Sequence, residues 1–138
     1  MFNPRFESIQ PVGVARATTA DDVRASIRFA RDNALACVPK SGGQSFGAST
    51  VENALVVDVG PLNGISYADN VVTVGAGAGL YDIHSLLDKY GRSLPTGAGP
   101  TIGISGPALG GGMGIHTRGH DRPPARSPRQ SHRAPLRS

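Results

Sequence analysis

The sequence predicts an α+β fold: a small parallel strand–helix layer followed by part of a second, mixed sheet. Three observations carry that prediction. A strand–helix–strand pattern fills residues 12–39, and so short a unit implies a parallel crossover. A hairpin-like pair of apolar runs, "GISYADNVVTVGAG", precedes a second helical run. Two glycine-rich stretches, 41–49 and 97–114, punctuate these elements.

Each element has a local reason. "VGVARAT" after Pro11 is a short apolar run and reads as the first strand. In "TTADDVRASIRFARDN", Thr19 is a suitable N-cap and Asp21 and Asp22 lie in the first turn, where the helix dipole favours anions. Val23, Ile27, Ala30 and Ala34 repeat at helical spacing and define the buried face, and Asn33 is placed to take the left-handed conformation that ends a helix. "LACVP" is the second strand, and "ALVVDVG", closed by Pro61, is a buried third. The hairpin turns at Ala-Asp-Asn. "LYDIHSLLDKYG" is the second helix; Leu80, Ile83, Leu87 and Tyr90 share a face, Leu86 widens it, and Gly91 stops it. The run 97–114 is too glycine-rich for a core element, because ordering glycine costs the most backbone entropy. It is expected to let backbone approach a ligand or another chain segment closely.

Composition narrows the function classes. The chain has 138 residues, the length of one domain, with 38% hydrophobic residues and no Trp. The single cysteine, Cys37, excludes an internal disulfide, and its apolar surroundings predict a small buried hydrophobe. CxxC metal sites are impossible, and His84, His116, His120 and His132 form no ligand pattern, so no metal is expected. No run is apolar enough to span a membrane, and "MFNPRFESIQ" has no basic-then-apolar leader. A soluble cytoplasmic product with no membrane partner is therefore expected.

The net charge of +4 is unevenly placed. Residues 118–138, "RGHDRPPARSPRQSHRAPLRS", hold six Arg and one Asp, a net of +5. Residues 1–117 therefore carry −1. The division predicts a near-neutral globular part, 1–117, and a basic Pro/Arg-rich disordered tail, 118–138, with too little apolar content to order itself. No nucleic-acid partner is expected for a charge confined to such a tail.

The glycine-rich turns admit two enzyme motifs, the first of them in the loop "PKSGGQSFGAST". "GQSFG" fits the nucleophile elbow G-x-S-x-G with Ser45 as nucleophile, but the motif needs a helix directly after the serine, and "ASTVENA" has neither length nor cap. "VVTVGAGAGLYDIHSLL" has the strand, turn and helix of a dinucleotide-binding unit. Leu80 stands where its third glycine belongs, and Pro95 and Thr96 occupy the neighbourhood of the expected acid. A tight strand-to-helix turn is the preferred reading there.

A third reading accounts for all these segments in order. "NPRFESIQPVGVARATTADDVRASIRFARDN", "VPKSGGQSF", "LVVDVGPLNGIS" and "VVTVGAGAGLYDIHSLLDKYGRSLPTGAGPTIGISGPALGGGMG" resemble FAD-linked oxidoreductases of the vanillyl-alcohol oxidase/berberine bridge enzyme, or p-cresol methylhydroxylase (PCMH), type. The resemblance runs from about Asn3 to about Arg118. It implies the first subdomain of a PCMH-type FAD-binding domain, and makes 1–117 a partial one. It implies a flavin-dependent oxidoreductase that passes a hydride from a small-molecule alcohol or sugar to FAD and then to oxygen or another acceptor. The competing class is a non-catalytic remnant or binding module without flavin.

By the same resemblance, the cofactor-binding residues are Ser41, Gly42, Gly43, Gln44, Ser45 and Phe46 in the pyrophosphate loop. The later stretch contributes Gly99, Pro100, Thr101, Gly103, Ile104, Gly106, Gly111 and Gly112 alongside the flavin. Backbone N–H groups of the first loop can converge on the pyrophosphate, because glycine allows the bend and blocks no approach. Lys40 need not point inward. Many members attach FAD covalently through a histidine where Gln44 stands, and some through a cysteine where Gly99 stands. Neither residue can form such a bond, so noncovalent FAD is expected. No catalytic base is assigned; His116 is read as an ordinary loop histidine. The family pattern breaks off after "GGGMG", and the Arg/Pro/Ser-rich tail has the composition that an out-of-frame reading of GC-rich coding sequence produces.

Overall fold

A computed structural model describes residues 8–45, 51–114 and 134–135. The elements run β1 (Gly13–Arg16), α1 (Ala20–Asp32), β2 (Ala36–Lys40), β3 (Ala54–Asp58), β4 (Ile65–Ala68), β5 (Val71–Val74), α2 (Leu80–Asp88), α3 (Ser105–Gly110) and β6 (Ala134–Pro135). The expected α+β class is present.

The first sheet is parallel, in the order β1-β3-β2. Strand–helix–strand indeed makes a parallel crossover, but β1 and β2 are not neighbours: β3 inserts between them, pairing Val14 with Val56 on one side and Val38 with Val56 on the other. The central position explains its composition. Ala54, Leu55, Val56 and Val57 are all buried, the continuous apolar run expected of a parallel strand covered on both faces.

Helix α1 begins with a capping box. The Thr19 hydroxyl accepts from the Asp22 N–H, while the Asp22 carboxylate takes the Thr19 N–H at 2.8 Å. Its end differs from expectation. Asn33 stays at φ −105°, and Ala34 is left-handed at φ 52°. The Ala34 N–H donates to Arg31 O and the Leu35 N–H to Ala30 O, the paired bonds of a Schellman motif. Those bonds force the residue after the cap to turn left, and that residue is an alanine. The helix's buried face is also narrower than its spacing suggests: Ala30 is buried and Val23 half-buried, but Ile27 is 50% exposed and Phe29 55% exposed.

Cys37 is exposed, not buried. β2 is an edge strand of a three-stranded sheet, so an apolar sequence context does not bring a covering layer with it.

The second sheet is antiparallel, with β5 between β4 and β6. Ala68 belongs to β4, so the hairpin turn is the two-residue Asp69-Asn70, both left-handed at φ 52° and 58°. Its twist suits the flanking strands. Val71 pairs with Pro135 and Val72 with Ala134, so two residues of the tail assigned to disorder form strand; the rest of the tail lies outside the described residues.

Helix α2 lays Leu80, Ile83 and Leu87, all fully buried, against Val72, Ala78 and Ile104. Burying each such side chain contributes about 1.5–3 kcal/mol. Gly91 at φ 61° closes the helix as expected. A second, smaller cluster joins Ala17, Val57 and Val59, with Val23 and Leu62 against them. The glycine-rich run contains a short helix, α3, that its composition did not announce; none of its residues is buried.

Candidate functional site

The register Arg16↔Asp58 and Lys40↔Asp58 puts these three side chains at the carboxyl edge of the parallel sheet. Ligands of open α/β sheets bind outside that edge. Loop 41–45 leaves it directly. Lys40 does not enter the loop: its Nζ lies 3.1 Å from Asp58 Oδ2, while Asp58 Oδ1 accepts the Gly60 N–H at 3.0 Å. Partial burial pushes the Asp58 carboxyl up. The Gly60 N–H, Lys40 and Arg16 together outweigh that and hold it below the usual carboxylate value.

Three loops meet above this edge. Ser41 Oγ donates to Ala76 O at 2.8 Å, and Ser105 Oγ donates to the same carbonyl. Gly42 lies on the backbone of 101–103: a β-carbon there would sit 2.5 Å from Gly103 N and 2.9 Å from Thr101 O. Gln44 Nε2 donates to Thr101 Oγ1. The stretch 99–104 in turn runs along 78–81. Ile104 N–H donates to Ala78 O, Leu80 N–H to Ile102 O, and Tyr81 N–H to Pro100 O.

Those last two bonds bear on the dinucleotide reading. The first N–H groups of α2, which a Rossmann unit would turn toward a pyrophosphate, are taken by carbonyls of this chain. Gly75 and Gly77 have the same explanation. Their backbones pack on the loop after β3, with Gly75 N–H donating to Gly64 O and Gly77 N–H to Leu62 O. "GAGAG" is thus a tight turn, as preferred. The elbow reading fares no better. Ser45 and β3 are separated only by the run 46–53, too short for the helix that must present an elbow nucleophile and return to a parallel strand.

The glycine loop offers different chemistry. Among the described residues, nothing accepts from the N–H groups of Gly42, Gly43 and Gln44. Gly43 takes φ 69°, the left-handed half of the turn from which an anion-binding nest is built. Fixed dipoles, with no cation, are what this loop can present to a phosphate.

The other expected site residues divide. Gly103 bridges Gly79 across the junction. Gly99 O accepts the Ile102 N–H in a tight turn, and a β-carbon on Gly99 would meet Ile102 Cγ1 at 2.8 Å. Gly112 N–H donates to Pro107 O, with no room for a β-carbon. Ile104 is a core residue: its side chain is buried, its N–H is committed to Ala78, and its carbonyl accepts from Ala108. Gly106 and Gly111 border open space. Ser45 is exposed. Phe46 and His116 lie outside the described residues. Sequence reasoning missed Ser105 and the Ala76 carbonyl; a lone serine between Gly103 and Gly106, in a run otherwise poor in hydrogen-bonding side chains, was the available signal. Among the described residues, no group of His, Cys, Asp and Glu could hold a metal ion, and no helix is long and apolar enough to cross a membrane.

A family profile described as "FAD binding domain" matches residues 11–122. Glucooligosaccharide oxidase of Sarocladium strictum is 32% identical over 124 residues, covering 86% of this chain and 25% of the relative. (R)-6-hydroxynicotine oxidase of Paenarthrobacter nicotinovorans is 34% identical over 111 residues, covering 78% and 24%. The solved glucooligosaccharide oxidase from Acremonium strictum, which carries a 6-S-cysteinyl, 8α-N1-histidyl FAD, superposes with a TM-score of 0.78 at 30% identity, covering 84% of this chain and 25% of that one. The chain spans about a quarter or less of the length of the first curated relatives it matches.

Proposed function

The chain belongs to the FAD binding domain family, and from that premise we propose that it holds the FAD of a flavin-dependent oxidoreductase at the junction of loops 41–45, 75–79 and 99–106. The observation that carries this reading is the run of N–H groups at Gly42, Gly43 and Gln44 that no described residue accepts, on a loop pinned by Ser41 to Ala76. Converging neutral dipoles suit a pyrophosphate at a sheet edge whose lysine is already paired with Asp58. Gly106 and Gly111, bordered by open space, leave the surface beside them accessible to a flat ring. Bound there, FAD would supply the hydride-accepting and electron-transferring chemistry, with oxygen or another compound as final acceptor; the protein would supply position and electrostatics.

The FAD is held noncovalently. An amide at Gln44 and a hydrogen at Gly99 offer no nucleophile, unlike the cysteinyl and histidyl links of the Acremonium strictum enzyme. The substrate is a small molecule. Two relatives are an oxidase of glucooligosaccharide and one of 6-hydroxynicotine, so an alcohol-, sugar- or amine-type substrate is the class to assay.

The test is direct. The purified chain is titrated with FAD, and binding is read from flavin fluorescence and from the visible spectrum. Saturable binding that weakens in a Gly43→Val variant supports the site. No binding by the wild-type chain at high FAD would favour a remnant that folds without flavin.

A further inference from the structure

Gln44 and Thr101, 57 residues apart, join two loops by their side chains: the Gln44 amide donates to the Thr101 hydroxyl. The other ties at this junction involve backbone, namely Ser41 Oγ on Ala76 O and Gly42 against 101–103. The Gln44–Thr101 bond ties the end of the loop to a second segment, in addition to the hold from the Ser41 side.

Resting on the FAD reading above, we propose that the Gln44–Thr101 pair is a latch that fixes the nest against the 99–106 loop before any cofactor arrives. Gln44 is then a positioning residue. Its side chain raises FAD affinity by holding N–H groups in place, not by touching the cofactor. The physical basis is preorganisation: a loop already ordered has less conformational freedom to lose on binding. Glycine makes the need acute, since Gly42 and Gly43 are the residues least able to hold a conformation by themselves.

The test compares wild type with Gln44→Leu, Thr101→Val, the double variant and Thr101→Ser. Two quantities are read: amide hydrogen exchange of 41–45 and 99–103 without cofactor, and the FAD dissociation constant. Thr101 is exposed and valine is close to it in shape, so this variant is expected to fold. Each disrupting single variant should speed exchange in both loops and weaken FAD about two- to twelvefold, the range of one net hydrogen bond. The double variant should be no weaker than the weaker single, because both remove the same contact. Thr101→Ser keeps the hydroxyl and should retain the wild-type amide exchange of both loops. Unchanged exchange in both singles, losses that multiply in the double variant, or loops unprotected in wild type would each overturn the latch. If wild type binds no FAD, the cofactor reading fails, and the exchange data still decide the latch.

Discussion

Gly42 and Gly103 lie backbone against backbone. A β-carbon on Gly42 would sit 2.5 Å from Gly103 N, and one on Gly103 would sit 2.6 Å from Gly42 N. Neither distance admits a side chain. The first prediction follows from this contact. Gly103→Ala should cost about 1–3 kcal/mol of stability, the usual effect of forcing extra volume into a packed site. It should also weaken FAD binding, because the loop that carries the nest must move. Chemical denaturation measures the first effect and flavin titration the second. Wild-type values for both would mean the contact is not formed in solution.

Gly43 should be intolerant for another reason. Its φ of 69° is costly for any β-branched residue, and a β-carbon there would crowd Lys40 Cε at 3.2 Å. Gly43→Val should lose about five- to thirtyfold in FAD affinity, from about 1–2 kcal/mol of backbone strain. Undiminished binding would remove the nest from the site.

Flavin bound to wild type should be wholly extractable. Acid precipitation is expected to leave all flavin in the supernatant, since neither Gln44 nor Gly99 can bond to the ring. Flavin that stays with the pellet would disprove noncovalent attachment.

Ala34 should be improvable. A left-handed alanine at φ 52° ends α1, and glycine takes that conformation without steric cost. Ala34→Gly is expected to raise stability by about 0.5–1 kcal/mol, after the added freedom of glycine in the unfolded chain is deducted. A lowered melting temperature would contradict the assigned helix end.

Asp22 gives a pH signature. Hydrogen bonds from the Thr18 hydroxyl and N–H, then from Thr19, lower its pKa from 3.8 to about 2. The folded value lies below the unfolded one, so the contribution is present above pH 3.8 and is lost as pH falls toward 2. The stability gap between wild type and Asp22→Asn, measured by urea unfolding, should be constant near neutral pH and shrink across that interval. A gap unchanged down to pH 2 would show that the charge has no part in the cap.

The N-cap at Thr19, the helix stop at Gly91 and the buried run of β3 were legible because each is decided within a few residues. The same holds for the strand–helix–strand unit and the hairpin. Local sequence also carried the family resemblance. Cys37, Ile27 and Phe29 were misread or left open because exposure depends on what lies across the sheet, and β2 proves to be an edge strand. Whether glycine makes room for a ligand or for another part of the chain is likewise a question of partners. Only the tertiary structure seats Gly42 on Gly103, Gly75 and Gly77 on the loop after β3, and the hydroxyls of Ser41 and Ser105 on one carbonyl, Ala76. Absence of a side chain allows close approach in every direction; the long-range packing chooses one.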